Sequence, residues 1–340
     1  MNGVIEAIAA FVDGGRVPSA SVVVRVDGRE VFHHSRGWAA PNRPVIEDQV
    51  YDLASVTKVV VGASVAAALL EEGVLSLEEP VVRLLSDVDP RITLRHLLTH
   101  SSGYPAWRPL YSEVDAWGYP EARAAILRLA RQTPLESSPG ERHIYSDLGF
   151  LVLLQVLEAA SGEPIEQLFQ RHVLAKSGAD LRWGWPGAAA TEICPVRNKT
   201  VVGEVHDLNC LSMGGVSTHA GLFAAARGLA RWAEWSLDEV RTGTSRGHAI
   251  AALWSTTGPG SHRGGWDGIS PGASSTGRHF PTDTVGHLGY TGTSVWVVPS
   301  RRTVVALLTN RVHPHDDKVA IREMRPQVHD SIATALGWAR

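Results

Sequence analysis

Ser55 and Lys58, in the stretch YDLASVTKVV at 51–60, are the first pair in the chain whose types and spacing suit chemistry. Three residues apart on a helix, they share one face and their functional atoms can meet. Lysine is scarce, occurring only at Lys58, Lys176, Lys199 and Lys318, and this one lies in a run that is apolar or small on both sides. Desolvation lowers the pKa of a buried amine, and an uncharged amine can accept a proton near neutral pH. Ser55 falls at the helix N-terminus, where free N–H groups and the positive dipole end favour a developing anion. Together these features describe a serine nucleophile activated by a neighbouring amine. The plain alternative is a surface helix whose lysine reaches out to water. The following VVVGASVAAALL leaves no polar face for such a helix.

A second element is PGERHIYSDLGF at 139–150, which offers a turn, a short extended piece and a helix start, with Tyr145 just before the cap. A phenol beside a cationic lysine ionises more readily, and as phenolate it can take the serine proton and return it to a leaving group. A packing or capping role for Tyr145 is the plain alternative. The third is GHLGYTGTSVWVVP at 286–299, where His287 precedes Gly289 and Gly292, residues that let a backbone approach a ligand closely. A backbone N–H there, facing the one at Ser55, completes an oxyanion hole.

The surrounding pattern predicts how these pieces are held. SASVVVRVDGREVFHHSRGWA gives two β-rich runs about Asp27-Gly28, a strong hairpin signal. TSVWVVP and RTVVALLTN form a second pair about Pro299 and Ser300, and the chain both opens and closes with helical spacing. Between them, residues 55–72 read as a buried helix stopped at Gly73, SDLGFLVLLQVLEAASG as a helix with a Ser/Asp cap and a stop at Gly162, and EPIEQLFQRHVLAKSG as another with proline in its first turn. Residues 255–284, rich in Gly, Ser and Pro, read as a long surface excursion. The expectation is one antiparallel sheet built from both termini, with a helical insertion in the middle.

With 340 residues, a net charge of -3 and a pI near 6.6, the chain can bury a full core and has no basic footprint for nucleic acid. The opening MNGVIEAIAAFVDGG lacks a positive n-region, and no apolar run approaches a membrane span, so a cytoplasmic protein is expected. Cys194 and Cys210 are expected to be free thiols. GTSRG at 243–247 and GISPG at 268–272 lack the strand and helix that a nucleophile elbow needs. His96 and His100 stand one turn apart with no third ligand close in sequence, so packing or capping is expected. HPHDD at 313–317 reads as a polar turn, and His206 with Asp207 as either a lobe-stabilising or a cleft-lining pair. The aromatic residues Tyr104, Trp107, Tyr111, Trp117 and Tyr119 suit either a ring-stacking site or helical packing.

SVTK, YSD and HLG resemble, in order and approximate spacing, the Ser-x-x-Lys, Tyr-x-Asn and Lys-Thr-Gly elements of the penicillin-recognising serine hydrolases, above all the class C β-lactamase and D,D-peptidase branch with its esterases. ITLRHLLTHSSGYP, GEVHDLNCLSMGGVSTHAGLF and LLTNRVHP carry the likeness along nearly the whole chain. The resemblance implies a β-lactamase/transpeptidase-like fold, α/β of the α+β type, with an antiparallel sheet flanked by the terminal helices and an inserted all-α lobe. It implies that residues 1–340 make a single catalytic domain of two lobes, 1–60 with 280–340 and 61–279. It implies Ser55 as acylated nucleophile, Lys58 as its proton partner, Tyr145 as general base and acid, and the N–H groups of Ser55 and Tyr290 as oxyanion donors.

Two departures bear on substrate. Asp147 replaces the usual asparagine, and its charge favours a protonated Lys58, pushing proton abstraction toward Tyr145. His287 replaces the lysine that binds a substrate carboxylate, and Leu288 replaces a hydroxyl. The expected activity is hydrolysis of a small-molecule or peptide-like ester or amide through a Ser55 acyl-enzyme, with no metal or organic cofactor. Asp147, His287, Gly289 and Tyr290 are expected to contact substrate. A β-lactamase or D-Ala-D-Ala carboxypeptidase is the alternative within the class, and a catalytically silent sensor on the same scaffold the alternative outside it.

Overall fold

The computed structural model describes residues 1–339 except Tyr119, Pro271, Ala273 and His315. Strand β1 (Ser19–Val26) turns at Asp27 and Gly28 into β2 (Arg29–Ala40). Both turn residues have positive φ, 51° and 79°, the geometry whose twist matches paired strands. A short strand β3 (Arg43–Pro44) follows; later come β4 (His262–Arg263), β5 (Trp266–Gly268), β6 (Val285–Leu288), β7 (Ser294–Val298) and β8 (Thr303–Thr309). These form one eight-stranded sheet, ordered β3-β2-β1-β8-β7-β6-β5-β4 and antiparallel throughout. The two ends of the chain meet at its centre, with Val22 opposite Leu307.

Side-chain alternation assigns each strand residue to a layer. Val22 and Val24 join Val4, Ile8, Met324 and Val328 in a core beneath the helices Asn2–Val12 and Lys318–Ala335. Val23 points the other way, into the larger core. On that face lies the helix Ala226–Thr242, whose Trp232 stacks on Trp266 of β5 with centroids 5.3 Å apart. Burial on both faces explains why β1 reads as a continuous valine run where a half-exposed strand would alternate.

The helical region is organised around Asp147–Ser161, in which Leu148 to Leu157 are all buried. Ser146 caps it by accepting the Gly149 N–H at 2.9 Å, and Gly162 ends it at φ 73°, as the Ser/Asp start and glycine stop predict. Beside it runs a π-helical turn, Lys58–Ala63, continuous with the helix Ser64–Glu71 and stopped before Gly73. A Cβ at Gly62 would press on the Phe150 ring at 3.0 Å, so glycine there lets the two helices touch. The π turn has no signal in the sequence.

The stretch 255–284 is only in part the surface excursion expected. Gly264 and Gly265, at φ 53° and 89°, turn β4 into β5 at the sheet edge, and Trp266, Thr276 and Thr284 are buried. Its glycines serve a tight turn and close packing, and it delivers His262 to the cleft. Cys194 and Cys210 are buried free thiols, as expected. Among the described residues no single helix is long and apolar enough to cross a membrane.

Candidate active site

Ser55 lies half-buried on the turn between the strand Val50–Asp52 and the helix that carries Lys58. The turn is sharp: Ala54 takes φ 47°, sparsely populated for a residue with a Cβ. The buried Asp52 carboxylate steadies it by accepting the Ala54 N–H at 2.7 Å and the His206 N–H at 2.7 Å. Burial pushes the Asp52 carboxyl up despite those two bonds. No local spacing marks Asp52 as part of the site, since its second partner is 154 residues away.

Lys58 is fully buried, and Nζ donates to Ser55 Oγ at 2.9 Å, to Asp147 Oδ1 at 2.5 Å and to the His219 carbonyl at 3.5 Å. Desolvation pulls its pKa down, but the Asp147 carboxylate and Tyr145 more than offset this, and the amine is held above its ordinary value. The uncharged Lys58 expected from burial alone is therefore corrected: the carboxylate that replaces the usual amide favours the protonated amine, as its charge led one to expect. Nζ also lies over the Tyr145 and Phe150 rings, 4.9 and 5.6 Å from their centroids.

The Tyr145 hydroxyl interacts with both Ser55 and Lys58, so the three groups do converge. Burial raises its pKa most, the Lys58 charge lowers it, Asp147 raises it again, and the net direction is upward. The expected phenolate is thus also corrected: Tyr145 rests as a neutral phenol.

Opposite Ser55, His287 and Gly289 lead out of β6 into a turn closed by the Gly292 N–H on the Gly289 carbonyl at 3.0 Å. Thr291 Oγ1 donates to Asp52 O at 2.7 Å and Thr293 Oγ1 to Leu53 O at 2.9 Å, locking this turn to the segment before Ser55. Among the described residues neither the Ser55 nor the Tyr290 N–H has an acceptor within the protein. Two cavities open from Ser55 and Tyr145. One, about 510 Å³, is walled by Trp107, Tyr111, Asp147, His206, Asp207 and Tyr290. The other, about 500 Å³, is walled by His262, His287, Gly289, Arg311, Lys318 and Arg322.

His287 is buried, and its Nδ1–H donates to the Leu288 carbonyl at 2.8 Å. Burial brings its pKa to about 3, so it supplies no cation to a substrate carboxylate. Cations reach that side from Arg311, Lys318 and Arg322, which no sequence spacing to His287 announces. His100 has neighbours after all: ring nitrogens of His100, His262 and His287 lie within 4.8 Å of one another. Such a trio invites a transition metal, but His100 Nδ1 accepts the Ser146 N–H at 3.0 Å, which puts its ring proton on Nε2. That atom, buried and unpartnered, is a donor. The cluster offers a metal at most two lone pairs where a structural zinc site uses four ligands.

His96 forms a capping box with Thr93, as a capping histidine was expected to. His206 and Asp207 both line the cleft; His206 pairs with Glu192 at 3.4 Å and stacks on Tyr290, while Asp207 caps the helix Leu208–Ser212 and bonds His219 at 3.0 Å. Of the aromatic loop, Trp107 and Tyr111 line the cleft and Tyr104 is packed; Tyr119 lies outside the described residues. Ser245 of GTSRG starts an exposed helix turn, while Pro271 of GISPG and His315 of HPHDD are also outside them. Asp316 and Asp317 are not a free polar turn: the first accepts from Tyr290 at 2.5 Å and from Arg311, and the second caps the final helix.

With fold and cleft in view, residues 4–329 match the family model described as Beta-lactamase, and the chain belongs to that family of serine hydrolases. A protein of Escherichia coli K12, provisionally named a D-alanyl-D-alanine carboxypeptidase, is 27% identical over 99% of this chain and 88% of its own length. EstCE1, described as a hydrolase with promiscuous acyltransferase activity, superposes with a TM-score of 0.76 at 21% identity, covering 97% of each chain. A penicillin-binding protein homologue from Caulobacter crescentus superposes at 0.72 with 18% identity, again over 97% of each.

Proposed function

We propose that the chain, as one catalytic domain, cleaves a small or peptide-like ester or amide through an acyl-enzyme on Ser55. The observation that carries this reading is the meeting of Ser55, Lys58 and Tyr145 beside two unclaimed backbone N–H groups. Ser55 Oγ attacks the carbonyl carbon; the carbonyl oxygen gains negative charge and is received by the N–H groups of Ser55 and Tyr290. Lys58 and Tyr145 both rest protonated, so the reacting form is the one in which Tyr145 has lost its proton to solvent, a form that grows as pH rises. Asp147, 2.5 Å from Nζ, holds the Lys58 ammonium beside that phenolate. Ser55 gives its proton to the Tyr145 oxygen as it attacks, and Tyr145 returns that proton to the leaving group when the tetrahedral intermediate collapses. Water then repeats the cycle on the ester and frees Ser55.

The cavity walled by Trp107, Tyr111 and Tyr290 suits an apolar acyl or ring-bearing group, favouring an esterase, D-aminopeptidase or cell-wall amidase over a class C-like lactamase. A D-Ala-D-Ala carboxypeptidase is the second reading, supported by Arg322 and Lys318 on the far side of Ser55, where a carboxylate would lie. Turnover of p-nitrophenyl butyrate, a D-Ala-D-Ala peptide and nitrocefin by wild type and Ser55→Ala separates them. We expect ester turnover that falls at least about 10³-fold in Ser55→Ala, and slow nitrocefin hydrolysis. Rapid nitrocefin hydrolysis contradicts the preference for esters. Absence of any Ser55-dependent turnover favours a silent sensor.

A further inference from the structure

We propose that Arg325 is a positioning residue for the oxyanion donor at Tyr290, acting through the peptide that joins Gly289 to Tyr290; this rests on the reading of Ser55 and Tyr290 given above. Arg325 is buried on the helix Lys318–Ala335, among Ile321, Met324, Val328 and Ile332, and reaches the wall of the second cavity behind Gly289. Among the described residues no carboxylate pairs with it. Its Nη2 donates instead to two carbonyls, Gly289 O at 2.9 Å and Thr293 O at 2.7 Å. Taking a guanidinium out of water without an anion is costly, and burial, with Arg311 close by, draws its pKa down to about 9. An apolar side chain would pack among them at lower cost, so the two carbonyl bonds are the reason for a cation here.

Those bonds fix a direction. A trans peptide is planar, with its C=O and N–H pointing opposite ways. Holding Gly289 O toward the final helix turns the Tyr290 N–H away from it, to the side where Ser55 lies and where that N–H has no acceptor in the protein. The threonine bonds to Asp52 and Leu53 brace the same turn against the chain leading into Ser55. Both oxyanion donors therefore ride on one block, and Arg325 aims the second. Its charge, sitting at the carbonyl end, also polarises the peptide and makes the N–H a better donor.

Tyr290 follows Gly289 in the turn, a position that accepts proline, and its N–H bonds to nothing in the protein, so Tyr290→Pro removes the donor with little cost to the fold. Tyr290→Ala controls for loss of the side chain. Arg325→Met and Arg325→Lys are then placed in each background, with kcat and KM for p-nitrophenyl butyrate and thermal melting measured for all. We expect Arg325→Met to lower kcat about tenfold or more, with KM within about twofold, in Tyr290→Ala, and to lower it less than about twofold in Tyr290→Pro. Arg325→Lys, which keeps a buried donor, should show a smaller loss with the same dependence on background, and carries the comparison if the methionine variant does not fold. An equal loss in both backgrounds, as a general structural role would give, overturns the proposal, as does no loss in Tyr290→Ala. If Tyr290→Pro is as active as Tyr290→Ala, the oxyanion assignment itself is wrong and the proposal falls with it.

Discussion

At the scale of single residues the site turns on Asp147. It holds Lys58 protonated and raises Tyr145 further, so the two groups nearest Ser55 become proton acceptors only as pH rises. Activity is expected to climb from neutral into alkaline pH in the wild type. In Asp147→Asn the carboxylate is gone, only Tyr145 still offsets burial at the Lys58 ammonium, and both groups lose their proton more easily. The acidic limb of kcat/KM should move to lower pH, which a pH–rate profile of the two proteins measures. A limb that stays put or moves upward contradicts the assignment of Asp147. The same charge pairing has a stability sign: Lys58, with a folded pKa above its unfolded value, stabilises the fold below about pH 10.4. That contribution is lost as pH rises through the folded value.

At the scale of elements, the junction between the β6–β7 turn and the segment before Ser55 is what sets the cleft. A Cβ at Gly289 would overlap both Thr293 Oγ1 and the Leu53 carbonyl, so the turn could not stay seated. Gly289→Ala should cost about 1–3 kcal/mol of stability, in the range of overpacking, and lower kcat at least about tenfold by displacing the Tyr290 N–H. Urea denaturation and ester kinetics check the two parts, and wild-type kcat in a folded variant contradicts this role. The neighbouring segments were readable to different degrees. The caps at Ser146 and Gly162 and the Asp27-Gly28 hairpin rest on local rules, and a sequence carries local rules openly. The π turn and the edge strands at 262–268 do not: the first depends on Gly62 meeting Phe150, the second on glycines that look the same in a loop and in a tight sheet corner.

For the molecule as a whole, what was legible was the identity of the groups we propose to react, because Ser55 and Lys58 are one helical turn apart and Tyr145 sits at a helix start. Their state was legible only in part: the charge of Asp147 pointed to a protonated Lys58, but the neutrality of Tyr145 follows from how burial and a carboxylate 89 residues from Lys58 balance in the folded cleft. Arg325 left a weak trace, an arginine inside an apolar stripe, but its partners lie 36 and 32 residues away and nothing local names them. His262 left none. The antiparallel sheet and the buried Asp147–Ser161 helix thus bring together groups that spacing alone keeps apart, and the cleft between them is where we propose that substrate meets Ser55. Covalent capture tests that most directly. After incubation with a fluorophosphonate, intact-protein mass spectrometry should find one adduct on the wild type, peptide mapping should place it on Ser55, and Ser55→Ala should carry none. A wild type left unmodified, or an adduct that persists in Ser55→Ala, contradicts the account.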